Sequence, residues 1–301
     1  MLRNPIAPFA AFLLLMWGSA AASQSTHDRR FWLSLKTAEF HVARCEAVFP
    51  LAREATQLLA STDSELRDGI AYEALARWVY TDQCLDGVQR DRLVSELTSN
   101  ARRQLGEDEG DALFGRSFSA LALSLFAAAD LKRPTLSGAQ IASLVDLGTE
   151  LLARERDLRG YVPAKGWGHA TAHAADLLKF LARNARLTVP QQRQIVGAIG
   201  ERLRSAGRVF VWGEDARLAG TLASVARRAD VDAAAFNDWF KQLAADNAAL
   251  WGGAFDPAHY IAVRAQLNAL NALQAELDTS PTSGSTLVIQ DGLRALHSAT
   301  D

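Results

Sequence analysis

The chain has 301 residues, of which 49% are hydrophobic, with 32 basic and 34 acidic side chains and a net charge of −2. That is enough for one large domain or two small ones with a substantial core. The balanced charge gives no footprint for nucleic acid and no polybasic patch for a membrane surface.

Residues 1–22 read as a secretory signal peptide. Arg3 supplies a short positive start, Ile6 to Trp17 an apolar core broken only by Pro8, and Ala20 and Ala22 the small residues of a cleavage site. The expected location is therefore periplasmic or secreted. No later apolar stretch reads as a membrane span, so none is expected in the mature chain. Cys45 and Cys84 are the chain's two cysteines, and an oxidising compartment would join them in a disulfide.

From residue 23 to 278 the pattern is helical. Apolar residues recur at three and four, as in Leu58, Leu59, Leu66, Ile70, Leu75 and Val79. About ten helices are expected, near 31–60 (bent at Pro50), 64–80, 88–105, 115–129, 137–156, 168–184, 189–206, 214–229, 232–247 and 258–277. Ser137 with Gln140 and Thr188 with Gln191 form capping boxes, and Asp256-Pro257 is an N-cap followed by proline. The one β-like run, Arg208 to Trp212, is short. Trp32, Trp78, Trp239 and Trp251 are expected in the core. Thr279 to Thr286 reads as a flexible linker, and the short amphipathic segment Leu287 to Leu296 closes the 279–301 tail.

A period lies over the helices. Helix starts near Arg67, Arg116, His169, Glu214 and Arg264 follow one another at steps of 49, 53, 45 and 50 residues. Trp167-Gly168-His169 matches Trp212-Gly213-Glu214 at a shift of 45. Repeated helix pairs of this length indicate an all-α fold, a HEAT-like solenoid or an α/α superhelix. Equivalent helices would then bring Arg67, Asp68, Arg116, His169, Glu214 and Asp215 to one concave face. Asp68, Glu214 and Asp215 are also ordinary first-turn residues, whereas Arg67 and Arg116 oppose the positive helix N-terminus and point to a site.

Asp157 to His169 is a loop of three glycines, a proline, two aromatics and two cations, which carries Arg159, Tyr161 and Trp167. The following helix places His169, His173 and Asp176 on one stripe about 60° wide at the edge of the core. Four readings stand: a catalytic or ligand-binding cluster with Asp176 orienting a histidine, a metal site completed by Asp176 or Glu214, histidines that hold the loop, and chance. Phosphate-cradling, dinucleotide and nucleophile-elbow motifs are absent from the sequence. Trp167 and Trp212 suit either a groove for sugar rings or wedges between repeats.

Several segments together, Leu66-Arg67-Asp68-Gly-Ile-Ala-Tyr72-Glu73, Arg116-Ser117-Phe118-Ser119, Asp157-Leu-Arg159-Gly160-Tyr161, Gly166-Trp167-Gly168-His169, Ala172-His173-Ala-Ala-Asp176 and Glu214-Asp215-Ala-Arg217-Leu218, resemble the bacterial family known as domain of unknown function 2785. The resemblance covers roughly residues 60–275 and implies an all-helical domain, with no activity attached. The expectation is an exported repeat protein. His169, His173 and Asp176 would act on a glycan or peptide by acid–base chemistry, with Arg67, Asp68, Arg116, Arg159, Tyr161, Trp167, Glu214 and Asp215 binding it. The alternative is a binding or scaffold module that uses the same groove for a small molecule, glycan or peptide. No cofactor or metal is called for.

Overall fold

The computed structural model describes residues 27–279 and 284–300. Residues 1–22, expected to be a signal peptide, lie outside them. Helix α1 (Arg29–Thr37) is capped by Asp28, whose carboxylate accepts from the Phe31 N–H at 2.8 Å. Residues 38–44 then leave the helix, so the expected 31–60 element is two helices, the second being α2 (Val48–Leu58). Glu39 and Phe40 take left-handed backbone there, which ends α1 well before Pro50.

Helix α3 runs over Glu65–Thr81, with π-type hydrogen bonding in Glu65–Tyr72 and Ala76–Thr81 around the short α-helical Glu73–Leu75. It is followed by α4 (Gly87–Ala101), α5 (Ala112–Lys132), α6 (Gly138–Arg154), α7 (Ala170–Ala182), α8 (Val189–Ser205), α9 (Glu214–Ala226), α10 (Ala233–Ala249), α11 (Pro257–Asp278) and α12 (Gly284–Thr300). The capping boxes at Ser137 and Thr188 form as the sequence indicates, and Asp86 with Gln89 makes a third.

The helices form two layers. Lateral bonds within each layer join residues about one repeat apart. Among even-numbered helices, Arg53 Nε donates to Glu96 Oε1 at 3.0 Å, Gln140 Nε2 to Asp91 Oδ1 at 2.8 Å and Gln194 Nε2 to Asp146 Oδ1 at 2.9 Å. In the odd-numbered layer the Arg67 guanidinium lies 4.0 Å from the Phe114 ring centre. Ser117 Oγ is 2.8 Å from His173 Nδ1, Thr221 Oγ1 donates to Ala175 O at 2.8 Å, and Arg227 Nη1 donates to Glu276 Oε1 at 3.1 Å. Every such pair joins matching points of two helices, so α3, α5, α7, α9 and α11 run parallel with their N-termini along one edge. This is a stack of helix pairs, an all-α repeat architecture.

The apolar seam between layers is one continuous core. Gly148 of α6 lets α7 approach: a Cβ there would stand 2.6 Å from Leu178 Cδ2. Helix α5 is long and apolar enough to cross a bilayer, which the sequence reading overlooked. Here 83% of its most apolar window is buried, making it the central core helix of the stack. Arg116 and Asp130, both buried and paired, complete its packing.

α7 and α9 are each 13 residues long, and their limits differ by 44, one less than the expected shift. Their N-cap residues are His169 and Gly213, both left-handed at φ 52° and 88°. Arg264 is seven residues into α11 rather than at its start. The region of Leu287–Leu296 lies inside α12, which packs on α10 through Ile289, Leu293 and Leu296.

Cys45 and Cys84 are joined, tying the segment before α2 to the loop after α3. Closing a loop over a separation of 39 residues stabilises the fold by about 3–4 kcal/mol in the chain-entropy account. The Cys45→Ser/Cys84→Ser variant should lower the urea-unfolding free energy by about that amount. An unchanged midpoint and slope would show that the bridge contributes nothing.

Candidate functional site

Between α6 and α7 the chain makes a small hairpin, β1 (Tyr161–Val162) and β2 (Gly166–Trp167), with Tyr161 opposite Trp167. The sequence reads as a loop here, because strands of two residues are too short to show alternation. Gly166 takes φ 79° in the turn. A Cβ there would also stand 2.9 Å from Ser64 Cβ, so the turn sits directly on the N-terminus of α3.

Arg67 is completely buried and holds this hairpin from below. Its guanidinium donates to Ser61 O at 2.6 Å, Lys165 O at 2.5 Å and Trp167 O at 3.2 Å, and lies over the rings of Phe114 and Phe118, 4.0 and 4.9 Å from their centres. Arg116 is equally enclosed. It pairs with Glu155 through Nε–Oε2 at 2.7 Å and Nη2–Oε1 at 2.9 Å, and also donates to Arg103 O and Gln104 O. Arg159 is bound to Asp157 and to Gly110 O, and the Asp157 carboxylate raises its pKa. These three cations, expected to hold a ligand, are instead spent on protein carbonyls and carboxylates. The awkward place of Arg67 and Arg116 near helix N-termini is explained by the buried loop carbonyls that need donors, Lys165 O and Trp167 O for Arg67 and Arg103 O and Gln104 O for Arg116.

Above this support lies the exposed face. Tyr161, Trp167 and Trp212 are 45%, 38% and 50% exposed. Their ring centres are 5.4 Å apart for Tyr161–Trp167, 6.0 Å for Trp167–Trp212 and 6.1 Å for Tyr161–Trp212. Trp212 packs directly on Gly160, where a Cβ would stand 2.4 Å from Trp212 Cδ1. Trp167 stacks on His169 at 4.5 Å.

The histidines differ from each other. His169 Nε2 is 3.0 Å from Trp212 O and 4.0 Å from Glu214 Oε1. A carbonyl only accepts, so Nε2 carries the proton and Nδ1 is bare. Burial lowers the His169 pKa, opposed by Glu214 and by the Trp212 carbonyl. His173 is 7% exposed, and its Nδ1 faces Ser117 Oγ. Ser117 in turn donates to Gly168 O, which leaves its oxygen to accept from His173 Nδ1–H. His173 is thereby the Nδ1–H tautomer. Burial pushes its pKa down to about 3, aided by His169 and Arg217.

Asp176 does not orient either histidine. Its Oδ1 accepts from Lys179 at 3.0 Å and its Oδ2 from Arg217. Glu214 is the carboxylate beside His169, and its other oxygen accepts the Trp212 N–H at 2.9 Å. Asp68 is half-buried, with its pKa raised by desolvation. Asp215 accepts from the Ala216 N–H. Among the described residues no three His, Cys, Asp or Glu side chains converge to hold a metal ion.

No site role is read from the sequence for Ser117, Tyr72, Arg217 or Glu155, although the first three fall in the segments that carry the resemblance. Tyr72 lies near Asp176 and Asp68, and burial followed by the Asp176 charge raises its pKa to about 12. Only the repeat register, which makes residues about 50 positions apart neighbours, could have pointed to them.

The architecture and this edge define an all-α stack of helix pairs with an aromatic–histidine face at the N-terminal ends of its parallel helices. The chain belongs to the family described as Protein of unknown function (DUF2785), which matches residues 102–275. The match takes in α5 to α10 and nearly all of α11, and begins after the Arg67 segment that the resemblance in the sequence included. No curated protein and no solved structure matches the chain.

Two outcomes test this geometry. Arg116→Ala leaves Glu155 as an uncompensated buried charge, and should cost about 3–5 kcal/mol of stability in denaturant titration. For His173, the folded pKa of about 3 lies below the ordinary 6.5, so the unfolded chain binds the extra proton. Stability should therefore be full above pH 6.5 and fall as pH drops toward about 3, at up to about 1.4 kcal/mol per pH unit. His173→Gln should flatten that part of the profile; a slope identical to the wild type's would refute the assignment.

Proposed function

We propose that this chain is an exported ligand-binding module whose aromatic–histidine face takes a saccharide. The observation that carries the reading is the trio of exposed rings, Tyr161, Trp167 and Trp212, converging within 6.1 Å where the loop before α7, held by the buried Arg67, meets the loop before α9. Exposed aromatic clusters of this kind mark interaction sites. A ring held rigidly contributes contact area at little entropic cost. The apolar faces of pyranose rings suit such surfaces, and the bare His169 Nδ1 can accept from a sugar hydroxyl. Export is supported by the signal-peptide pattern and by the disulfide.

A hydrolytic role for the same face is favoured by one feature: His173 is held neutral by burial, with Nδ1 engaged by Ser117 Oγ, which leaves the lone pair on Nε2. A neutral imidazole of that kind can act as a general base. Asp176, tied to Lys179 and Arg217, does not assist it.

Screening the secreted protein against a saccharide panel, with tryptophan fluorescence as readout, tests the binding role. Trp167→Ala and Trp212→Ala should each weaken saccharide binding about five- to tenfold, as loss of roughly 1 kcal/mol of ring contact implies. Binding that survives loss of both rings would overturn the proposal. Turnover of the bound saccharide, abolished by His173→Gln with affinity retained, would establish the hydrolytic role.

A further inference from the structure

The three rings of the face do not end the aromatic surface. Trp251, Phe255 and Tyr260 are 70%, 56% and 38% exposed. They form a chain of contacts, with ring centres 6.3 Å apart for Trp251–Phe255 and 5.7 Å for Phe255–Tyr260. Trp251, expected in the core, is among the more exposed side chains of the protein. Its Gly252-Gly253 turn carries it away from the apolar seam.

The register of the stack puts this second cluster on the same edge as the first. Arg227 at the end of α9 bonds Glu276 near the end of α11, both to Oε1 at 3.1 Å and to the backbone O at 2.6 Å. The helices are therefore parallel and offset by 49 residues. That offset sets Val263 level with Glu214, so Tyr260 lies about one turn beyond the start of α9, on the side of the loop that carries Trp212. Parallel packed neighbours stand roughly 8–10 Å apart, a span of about two sugar rings. The loop before α7 supplies Tyr161 and Trp167, the loop before α9 supplies Trp212, and the start of α11 with its preceding loop supplies the rest.

We propose that these six rings form a continuous track for a linear polysaccharide, with the Trp251–Phe255–Tyr260 cluster as its distal subsites. This rests on the saccharide reading of the proximal cluster and extends it from one sugar to a chain. The flanking charges favour a neutral polyhydroxyl polymer over a lipid surface. Charges of both signs border the rings, Asp215 and Asp256 beside Lys165 and Arg217, and both cations are already paired with Asp111 and Asp176. Among the described residues the edge therefore carries no free cationic cluster to draw an anionic headgroup layer, whereas carboxylates readily accept from sugar hydroxyls.

Calorimetric titration of the disulfide-bonded protein with chitobiose, chitotetraose and chitohexaose provides the test. Affinity should rise at least tenfold from the disaccharide to the hexasaccharide. Trp251→Ala and Phe255→Ala, both at exposed positions, should remove that gain and leave chitobiose binding unchanged. If chitobiose binds and the hexasaccharide binds no tighter, or Trp251→Ala changes neither, the track is refuted while the proximal site stands. If no oligomer of any length binds, both readings fall. Sedimentation with phosphatidylglycerol vesicles that depends on Trp251, without any length-dependent saccharide binding, would make the distal cluster a membrane contact and overturn the proposal.

Discussion

Buried guanidinium groups bonded to loop carbonyls are the interaction on which the rest of this structure depends. Residues 155–168 are irregular backbone set against packed helices, so their C=O groups lack the ladder that a helix would give them. Arg67 serves Lys165 O and Trp167 O, Arg202 serves Leu152 O and Glu155 O, and Ser117 serves Gly168 O. Burial lowers the pKa of both Arg67 and Arg202. A guanidinium nonetheless keeps its proton in proteins, so these donors persist across the pH range. The exposed rings rest on this charged scaffold, and their mutual geometry follows from it.

The stack explains why such a loop can be tolerated. From α3 on, each odd-numbered helix packs beside the next with its N-terminus on one edge, so each connection enters the same strip of surface. Three successive loops bring aromatic side chains there, because every repeat presents its connection to the same neighbours. Glu214 shows how local and long-range needs combine. It lies in the first turn of α9, where a carboxylate suits the helix dipole, caps the Trp212 N–H, and approaches His169 of the adjacent helix.

Much of the architecture was legible because amphipathic periodicity and capping residues are local signals. Ser137, Thr188 and Asp256 mark their helix starts within one residue. The repeat, the cysteine bridge and the family were legible as well. The roles of the arginines were not. Arg67 and Arg116 looked misplaced on a helix wheel, which correctly flagged a special environment. Nothing local, however, tells a cation awaiting a ligand from one enclosed with Glu155. Asp176 failed similarly: its wheel position matches the histidines, but its partners come from one turn further on α7 and from α9. Trp251 was lost to a base expectation that tryptophan is buried, which the following glycine pair should have tempered.

Helix α12 has a consequence for how the stack ends. A stack of repeats exposes, at its last member, the same apolar flank that each earlier member offers to its successor. Ile289, Leu293 and Leu296 cover that flank on α10, and Gly292 brings the two helices so close that an added Cβ would stand 3.1 Å from Phe240. The terminal surface is thus already occupied by the chain's own residues. The flank of α10 that a further repeat would take is thus filled from within the chain, and α12 plays the part of a capping helix among the described residues.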